Sequence, residues 1–221
     1  METVMKETHV SRYSDTSLLE EFREVSVGCG KFYLAIKRLI DIVMSISLIL
    51  AFGIPMLIIA LLIRIDSKGP VIFKQKRIGR YGQPFTIYKF RTMDTKAPPE
   101  LATCDFANSD EYITKYGAFL RRTGIDVLPQ LFNILRGDMS FVGYRPVCLT
   151  EQKLNEMRGK LGVFALRPGI TGLAQVSGRN SIYGERKARL DAEYVSRCSA
   201  GMDLVCILKT IKTVIVEEEA T

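Results

Sequence analysis

Few residues in this chain could do catalytic chemistry. His9 is the single histidine of 221 residues, and the five cysteines (Cys29, Cys104, Cys148, Cys198, Cys206) show no CxxC spacing. Both facts argue against Ser-His-Asp and Cys-His catalysis and against histidine-rich metal sites. What remains is carboxylates, lysines and arginines, with room for a hard metal ion. The most suggestive spacing is in RRTGIDVLPQLFNILRGDMSF (121–141), where Asp126 follows Arg121 and Arg122 and precedes an apolar run. Leu128, Leu131, Phe132 and Leu135 recur at i, i+3, i+4 and i+7, which predicts an amphipathic helix stopped by Gly137. Asp126 then falls at the N-cap, with Pro129 in the first turn, where a missing N–H costs little. One reading of Asp126 is a plain cap. The other is a nucleophile facing a phosphate held by the helix N-terminus and the neighbouring arginines. Lys89, Arg145, Arg167 and Arg179 stand in strand or Gly/Pro-rich contexts that allow them to converge on the same place as a diphosphate-binding set. Asp138 and Asp191 are spare carboxylates, read as facing solvent.

The elements that would position these groups begin with residues 42–63, an uncharged and almost wholly apolar run. As a helix it spans ~33 Å, enough to cross a bilayer. It starts too late and has no cleavage site for a signal peptide. Gly53 and Pro55 near its middle predict a kink, and basic residues flank it on both sides. The positive-inside rule favours both flanks in the cytoplasm, so a re-entrant helix is expected, an ordinary crossing being the alternative. A formal charge of +7 and a pI of about 9.2 favour anionic partners. The odd, unpatterned cysteine set predicts reduced thiols facing the cytosol, with no disulfide.

Further along, VIFKQKRIG and PFTIYKFRTM read as two strands joined by RYGQ, a hairpin in which Lys74 pairs by parity with Lys76 and Lys89 with Arg91. Residues 111–122 predict a helix, 166–180 a structured Gly-rich loop. DLVCILKTIKTVIV near the C-terminus predicts an amphipathic helix, packed on the core or lying in the membrane interface. The fold class is α+β, mainly helical: a re-entrant, Pro-kinked membrane helix plus amphipathic helices and a small β-hairpin around a cytosolic catalytic core. The division is 1–33, a polar extension with a short helix near TSLLEEFREV; 34–66, the membrane helix; and 67–221, the membrane-surface domain.

At this point KRLIDIV with its later proline, PVIFKQKRIG, FTIYKFRTM, DVLPQLFNILRGDMSFVGYRP and RPGITGLAQVSGRN occur in order. Together, over about residues 35 to 215, they resemble the bacterial sugar transferases, the monotopic phosphoglycosyl transferases. The resemblance implies a re-entrant helix anchored in the cytoplasmic leaflet of the bacterial inner membrane. It implies transfer of a sugar 1-phosphate from a UDP-sugar to undecaprenyl (polyprenyl) phosphate, with release of UMP and a requirement for Mg²⁺. Carried onto this chain, it makes Asp126 the nucleophile of a covalent phosphosugar intermediate. Lys89, Arg121, Arg145 and Arg167 would hold phosphate, with Asp191 a further acidic position. Two departures stand out. Val127 replaces the glutamate that in the family binds Mg²⁺, leaving Asp126 itself or Asp138 to contact the metal; Tyr144 replaces the proline of GPRP. The alternative is a membrane-anchored binding or regulatory homologue that lacks turnover because of Val127. A nucleic-acid partner would explain the charge alone, so none is expected. Oligomeric state stays open, a homodimer included.

Overall fold

The structure is a computed structural model that describes residues 27–97, 112–178 and 182–219. The expected N-terminal extension up to residue 26, its short helix, the 98–111 stretch and Arg179 lie outside the described residues. Helix α1 (Lys31–Asp66) carries the apolar run, and its helical pattern continues unbroken through Pro55. One stripe of α1 docks on the rest of the molecule. Leu48 and Ile49 pack beside Phe85, Ile87, Leu131 and Ile134, while Met56, Ile59 and Ile63 pack with Phe90 and Leu120. Elsewhere its apolar side chains are uncovered, Leu50 at 78% and Ile54 at 73%. A surface this apolar and this large fits a membrane anchor, since water would oppose exposing it.

Both ends of α1 are tied to the same globular body. At the first, the buried Asp41 accepts hydrogen bonds from Ser140 Oγ (3.1 Å) and Phe141 N (3.2 Å). At the second, the buried Arg91 donates to Ile63 O, Ser67 O and Lys68 O, satisfying carbonyls that end the helix. Arg91 is therefore a capping residue, although its parity with Lys89 suggested a shared basic face.

The hairpin forms as expected from β1 (Ile72–Ile78) and β2 (Pro84–Phe90), antiparallel, with Phe73 opposite Lys89, Gln75 opposite Ile87 and Arg77 opposite Phe85. Its turn holds Tyr81 at φ 57°, a left-handed conformation rarely adopted by a side chain of that size. Cross-strand partners share a face, so Lys89 and Arg77 lie on one side and Lys74 and Lys76 on the other, beside Tyr88 and Thr86.

Helices α2 (Lys115–Thr123) and α3 (Gln130–Arg136) follow, then the strands β3 (Ser140–Val142) and β4 (Gly169–Thr171), which pair in parallel. Between them lies α4 (Gln152–Lys160); after β4 come α5 (Leu173–Gly178), α6 (Gly184–Ser196) and α7 (Ala200–Glu219). The stretch expected as a Gly-rich loop is thus a short strand and a helix. Its glycines permit the pairing: a Cβ on Gly169 would collide with the backbone of Gly143.

Helix α7 uses both of the faces expected of it. Asp203 and Cys206 are buried, whereas Leu204, Val205, Leu208 and Ile211 are exposed. Asp203 fastens α7 to α1 and α6, accepting from Tyr33 Oη (2.8 Å) and Tyr194 Oη (2.6 Å) and pairing with Lys37. One expectation is overturned here. Cys29 and Cys198 form a disulfide, with Cα atoms 5.4 Å apart across a sequence separation of 169. Spacing along the chain could not signal it, because the chain before α1 reaches α6 through Gly28 N donating to Val195 O (3.0 Å). Cys148 and Cys206 are buried and take no part in a disulfide.

Candidate functional site

Asp126 is not a helix cap. Helix α2 ends at Gly124, in the left-handed conformation (φ 69°), and the chain then winds at once into a 3₁₀ turn, Ile125–Val127. Leu128 N donates to Ile125 O (3.1 Å) and Leu131 N to Leu128 O (3.0 Å), so the winding runs directly into α3 with Pro129 at its N-cap. Asp126 therefore sits inside a turn and makes no side-chain cap bond. Its carboxylate instead faces Lys89, with Oδ2 and Nζ 3.8 Å apart. That is close enough for attraction and too long for a hydrogen bond, so the carboxylate is held near positive charge without being committed to a donor.

The neighbouring α3 is fixed from below by the fully buried Asn133. Its Nδ2 donates to Thr86 O (2.7 Å) and to Asp138 Oδ2 (3.2 Å), and its Oδ1 accepts from Tyr88 N (3.0 Å). This locks α3 to β2, the strand carrying Lys89. The helix accordingly buries Gln130, Leu131, Asn133 and Ile134, while Phe132, expected on the apolar face, is 44% exposed. A polar side chain at the centre of the contact shifted the face.

Beside Asp126 and Lys89 opens a cleft of about 590 Å³, counted out to its mouth. Arg77, Lys89, Arg145 and Lys187 supply its cations, Glu151 its one acid and Val127 part of its wall. The Lys89 ammonium is pushed down to about 8 by burial and by Arg145, Arg77 and Arg121, against the pull of Asp126. Three cations gathered around one half-buried lysine leave positive charge that an anion would offset. The cleft is thus suited to a phosphate or diphosphate, and Asp126 stands next to its wall residue Val127 and 3.8 Å from Lys89.

Arg145 lines the cleft; Arg121 does not, its Nε donating to Thr92 Oγ1 (2.9 Å) while its charge acts on Lys89. Asp191 does not face solvent or the cleft. It is buried with the fully buried Arg158, which reaches its Oδ2 with both Nε (2.9 Å) and Nη2 (2.5 Å). Burial pushes the Asp191 carboxyl up and the arginine pulls it down. Arg158 also donates through Nη1 to Arg145 O (2.9 Å) and lies 5.3 Å from the Tyr144 ring centroid. The pair holds the backbone of Tyr144 and Arg145, and Tyr144 gives the guanidinium an aromatic face that proline lacks. Asp138 is engaged by Asn133 at the far end of α3 from Asp126, so those two carboxylates do not converge. Arg167 is also elsewhere: it shares a second cleft with Arg38 and Arg80 at the foot of α1.

Sequence reasoning missed Arg77, Gln130, Glu151, Arg158 and Lys187. Arg77 alone had a signal, through its strand parity once the register is known; the others are brought in by packing of α4 and α6. For a divalent ion, no group of three or more His, Cys, Asp or Glu converges among the described residues. Asp126 and Glu151 are nevertheless hard oxygen donors beside a phosphate-suited cleft. This fits Mg²⁺, which takes one or two carboxylates and completes its shell with phosphates and water.

The comparisons agree on one family. The family model described as bacterial sugar transferase matches residues 32–217. An uncharacterized sugar transferase, EpsL, of Bacillus subtilis is 38% identical over 83% of this chain and 89% of its own length. The galactosyl transferase CpsE of Streptococcus agalactiae is 40% identical over 84% of this chain and 44% of its own. The UDP-glucose:undecaprenyl-phosphate glucose-1-phosphate transferase of Escherichia coli is 36% identical over 80% of this chain and 39% of its own. The chain therefore spans less than half the length of the last two.

Proposed function

The chain belongs to the bacterial sugar transferase family, a family of transferases, and from that premise we propose that it moves a sugar 1-phosphate from a UDP-sugar to a polyprenyl phosphate. The observation that carries the reading is the uncapped Asp126 carboxylate 3.8 Å from Lys89 beside a cleft ringed by Arg77, Arg145 and Lys187. These cations bind the donor diphosphate and neutralise its charge, which is most of what phosphoryl transfer requires. An Asp126 oxygen attacks the phosphorus bearing the sugar, the bond from that phosphorus to the bridging oxygen breaks, and UMP leaves with that oxygen. The resulting phosphosugar on Asp126 is attacked by an oxygen of the polyprenyl phosphate, which forms the lipid diphosphate sugar and releases the carboxylate. No histidine is needed, because the nucleophile is a carboxylate. Mg²⁺, when bound, supplies further charge neutralisation on the phosphates, with Asp126 and Glu151 the residues that would hold it. Helix α1 anchors the domain as a re-entrant element, leaving the cleft on the cytoplasmic face.

The test is UMP release from UDP-glucose or UDP-galactose in the presence of Mg²⁺ and undecaprenyl phosphate. Asp126→Asn is expected to lose release and the phosphosugar adduct seen by mass spectrometry. Release from neither donor, restored by Val127→Glu, would establish the chain as a catalytically impaired binding homologue.

A further inference from the structure

We propose that the second cleft, between Arg38, Arg80 and Arg167 at the foot of α1, binds the phosphate group of a membrane lipid. It encloses about 390 Å³ out to its mouth and shares no lining residue with the cleft beside Asp126. The three guanidinium groups are half-buried and each is anchored to backbone. Arg38 donates through Nη1 to Ile134 O (2.6 Å) and through Nη2 to Leu135 O (2.8 Å). Arg80 Nε donates to Ala165 O (3.0 Å), and Arg167 Nε to Gly137 O (2.7 Å). Arg80 also stacks over Tyr81, 4.5 Å from its centroid, which gives the left-handed turn residue a role.

These anchors use Nε of Arg80 and Arg167 and, among the described residues, leave their terminal forks, two nitrogens each, for a ligand. Such forks match the oxygen spacing of a phosphate. Of the other charges, Lys37 is paired with Asp203, and Asp41, the one carboxylate of the lining, offsets one of the three guanidinium charges. What remains is an excess of half-buried positive charge. Its cost registers on Arg167, whose guanidinium is lowered by burial and by Arg80 and Arg38, with Asp41 a partial offset. An anion would relieve it.

The position of the cleft selects a lipid over a free anion. Its walls include Leu34, Lys37 and Arg38 of α1, and the exposed Ile40 (49%) and Met44 (38%), three and seven residues on from Lys37, continue that flank of the helix. A phosphate in the cleft therefore has an apolar helix surface running away from it, where acyl or prenyl chains would lie. Free phosphate gains nothing from that surface. This inference requires α1 to be in a membrane and does not depend on the transfer chemistry.

The experiment measures thermal unfolding of the whole chain in nonionic micelles with short-chain phosphatidylglycerol, undecaprenyl phosphate, phosphatidylcholine or inorganic phosphate. The expected result is saturable stabilisation by phosphatidylglycerol or undecaprenyl phosphate, whichever is the natural occupant. The apparent affinity should fall about tenfold in Arg80→Gln, as for a lost charge-assisted contact, and recover only in part in Arg80→Lys, which restores the charge but not the fork. Stabilisation by undecaprenyl phosphate alone assigns the site to the acceptor; stabilisation by phosphatidylglycerol assigns it to bulk anionic lipid. Equal stabilisation by inorganic phosphate, or binding unchanged in Arg80→Gln/Arg167→Gln, overturns the proposal. Native mass spectrometry of the unaltered protein released from nanodiscs of phosphatidylglycerol and phosphatidylcholine, with and without undecaprenyl phosphate, covers the case in which a variant fails to fold. Retention of either anionic lipid supports the proposal, and retention of none refutes it.

Discussion

Replacing Asp191 by Asn tests whether the buried pair with Arg158 holds the site together. Both side chains are shielded from water, at 0% and 1% exposure, so the variant leaves a guanidinium buried without its counter-charge. Breaking such a pair from one side costs about 3–5 kcal/mol. For a chain of this size that lowers the midpoint by about 6–20 °C. The pair itself is imperfectly compensated: Asp191 Oδ1 and the Tyr144 hydroxyl are buried with no hydrogen-bond partner among the described residues. Arg158→Met/Asp191→Leu should therefore recover most of the lost stability, because replacing a buried pair by apolar groups of similar volume is often neutral or better. It should not recover function in step, because Arg158 Nη1 no longer holds Arg145 O. UDP affinity of the double variant is expected to stay on the order of tenfold weaker, the effect of a misplaced cation. Urea unfolding in micelles and calorimetric titration with UDP read the two effects separately. A loss below about 1 kcal/mol in Asp191→Asn, or a double variant as unstable as the single one, would refute the reasoning.

Other expectations rest on single residues. Lys89, lowered to about 8, loses its proton in the native state before the unfolded chain does; unfolded lysine titrates near 10.4. Native stability should therefore rise with pH between about 8 and 10.4, where the unfolded chain binds the extra proton. UDP affinity should weaken as pH climbs past about 8, measured by titration calorimetry, and Lys89→Arg should remove that inflection because arginine stays charged. Asn133→Ala strands the Tyr88 N–H and Thr86 carbonyl and should cost about 2–3 kcal/mol in urea unfolding; a change below about 1 would show that α3 is held otherwise. Single cysteines at Lys31 and Lys68, at the two ends of α1, should both react with an impermeant maleimide in inverted vesicles and neither in spheroplasts. Opposite-side labelling would make α1 an ordinary crossing.

Much of the frame was legible because it is written in local patterns. An unbroken apolar run reads as α1 whatever surrounds it, and the hairpin follows from two β-rich runs around a turn. The Leu128–Leu135 periodicity gave α3, but it misjudged the face. Asn133 looks polar in the sequence, and only its bonds to β2 make it a core residue. The spacing places Asp126 as a helix cap, and it could not show that a 3₁₀ turn starts one residue earlier, at Ile125, and takes Asp126 inside it.

By itself, then, the sequence determined the anchor helix, the hairpin, the basic character and the motif residues that mark the family, all of them short-range or compositional. Tertiary structure decided how the charges are sorted. It put Asp126, Arg77 and Arg145 around Lys89, drew Arg167 to Arg38 and Arg80, buried Asp191 against Arg158, and joined Cys29 to Cys198. The physical reason is the same in each case. Coulombic and covalent partners are chosen by distance in space, and these partners are far apart along the chain until α1, the hairpin and α6 close around one core.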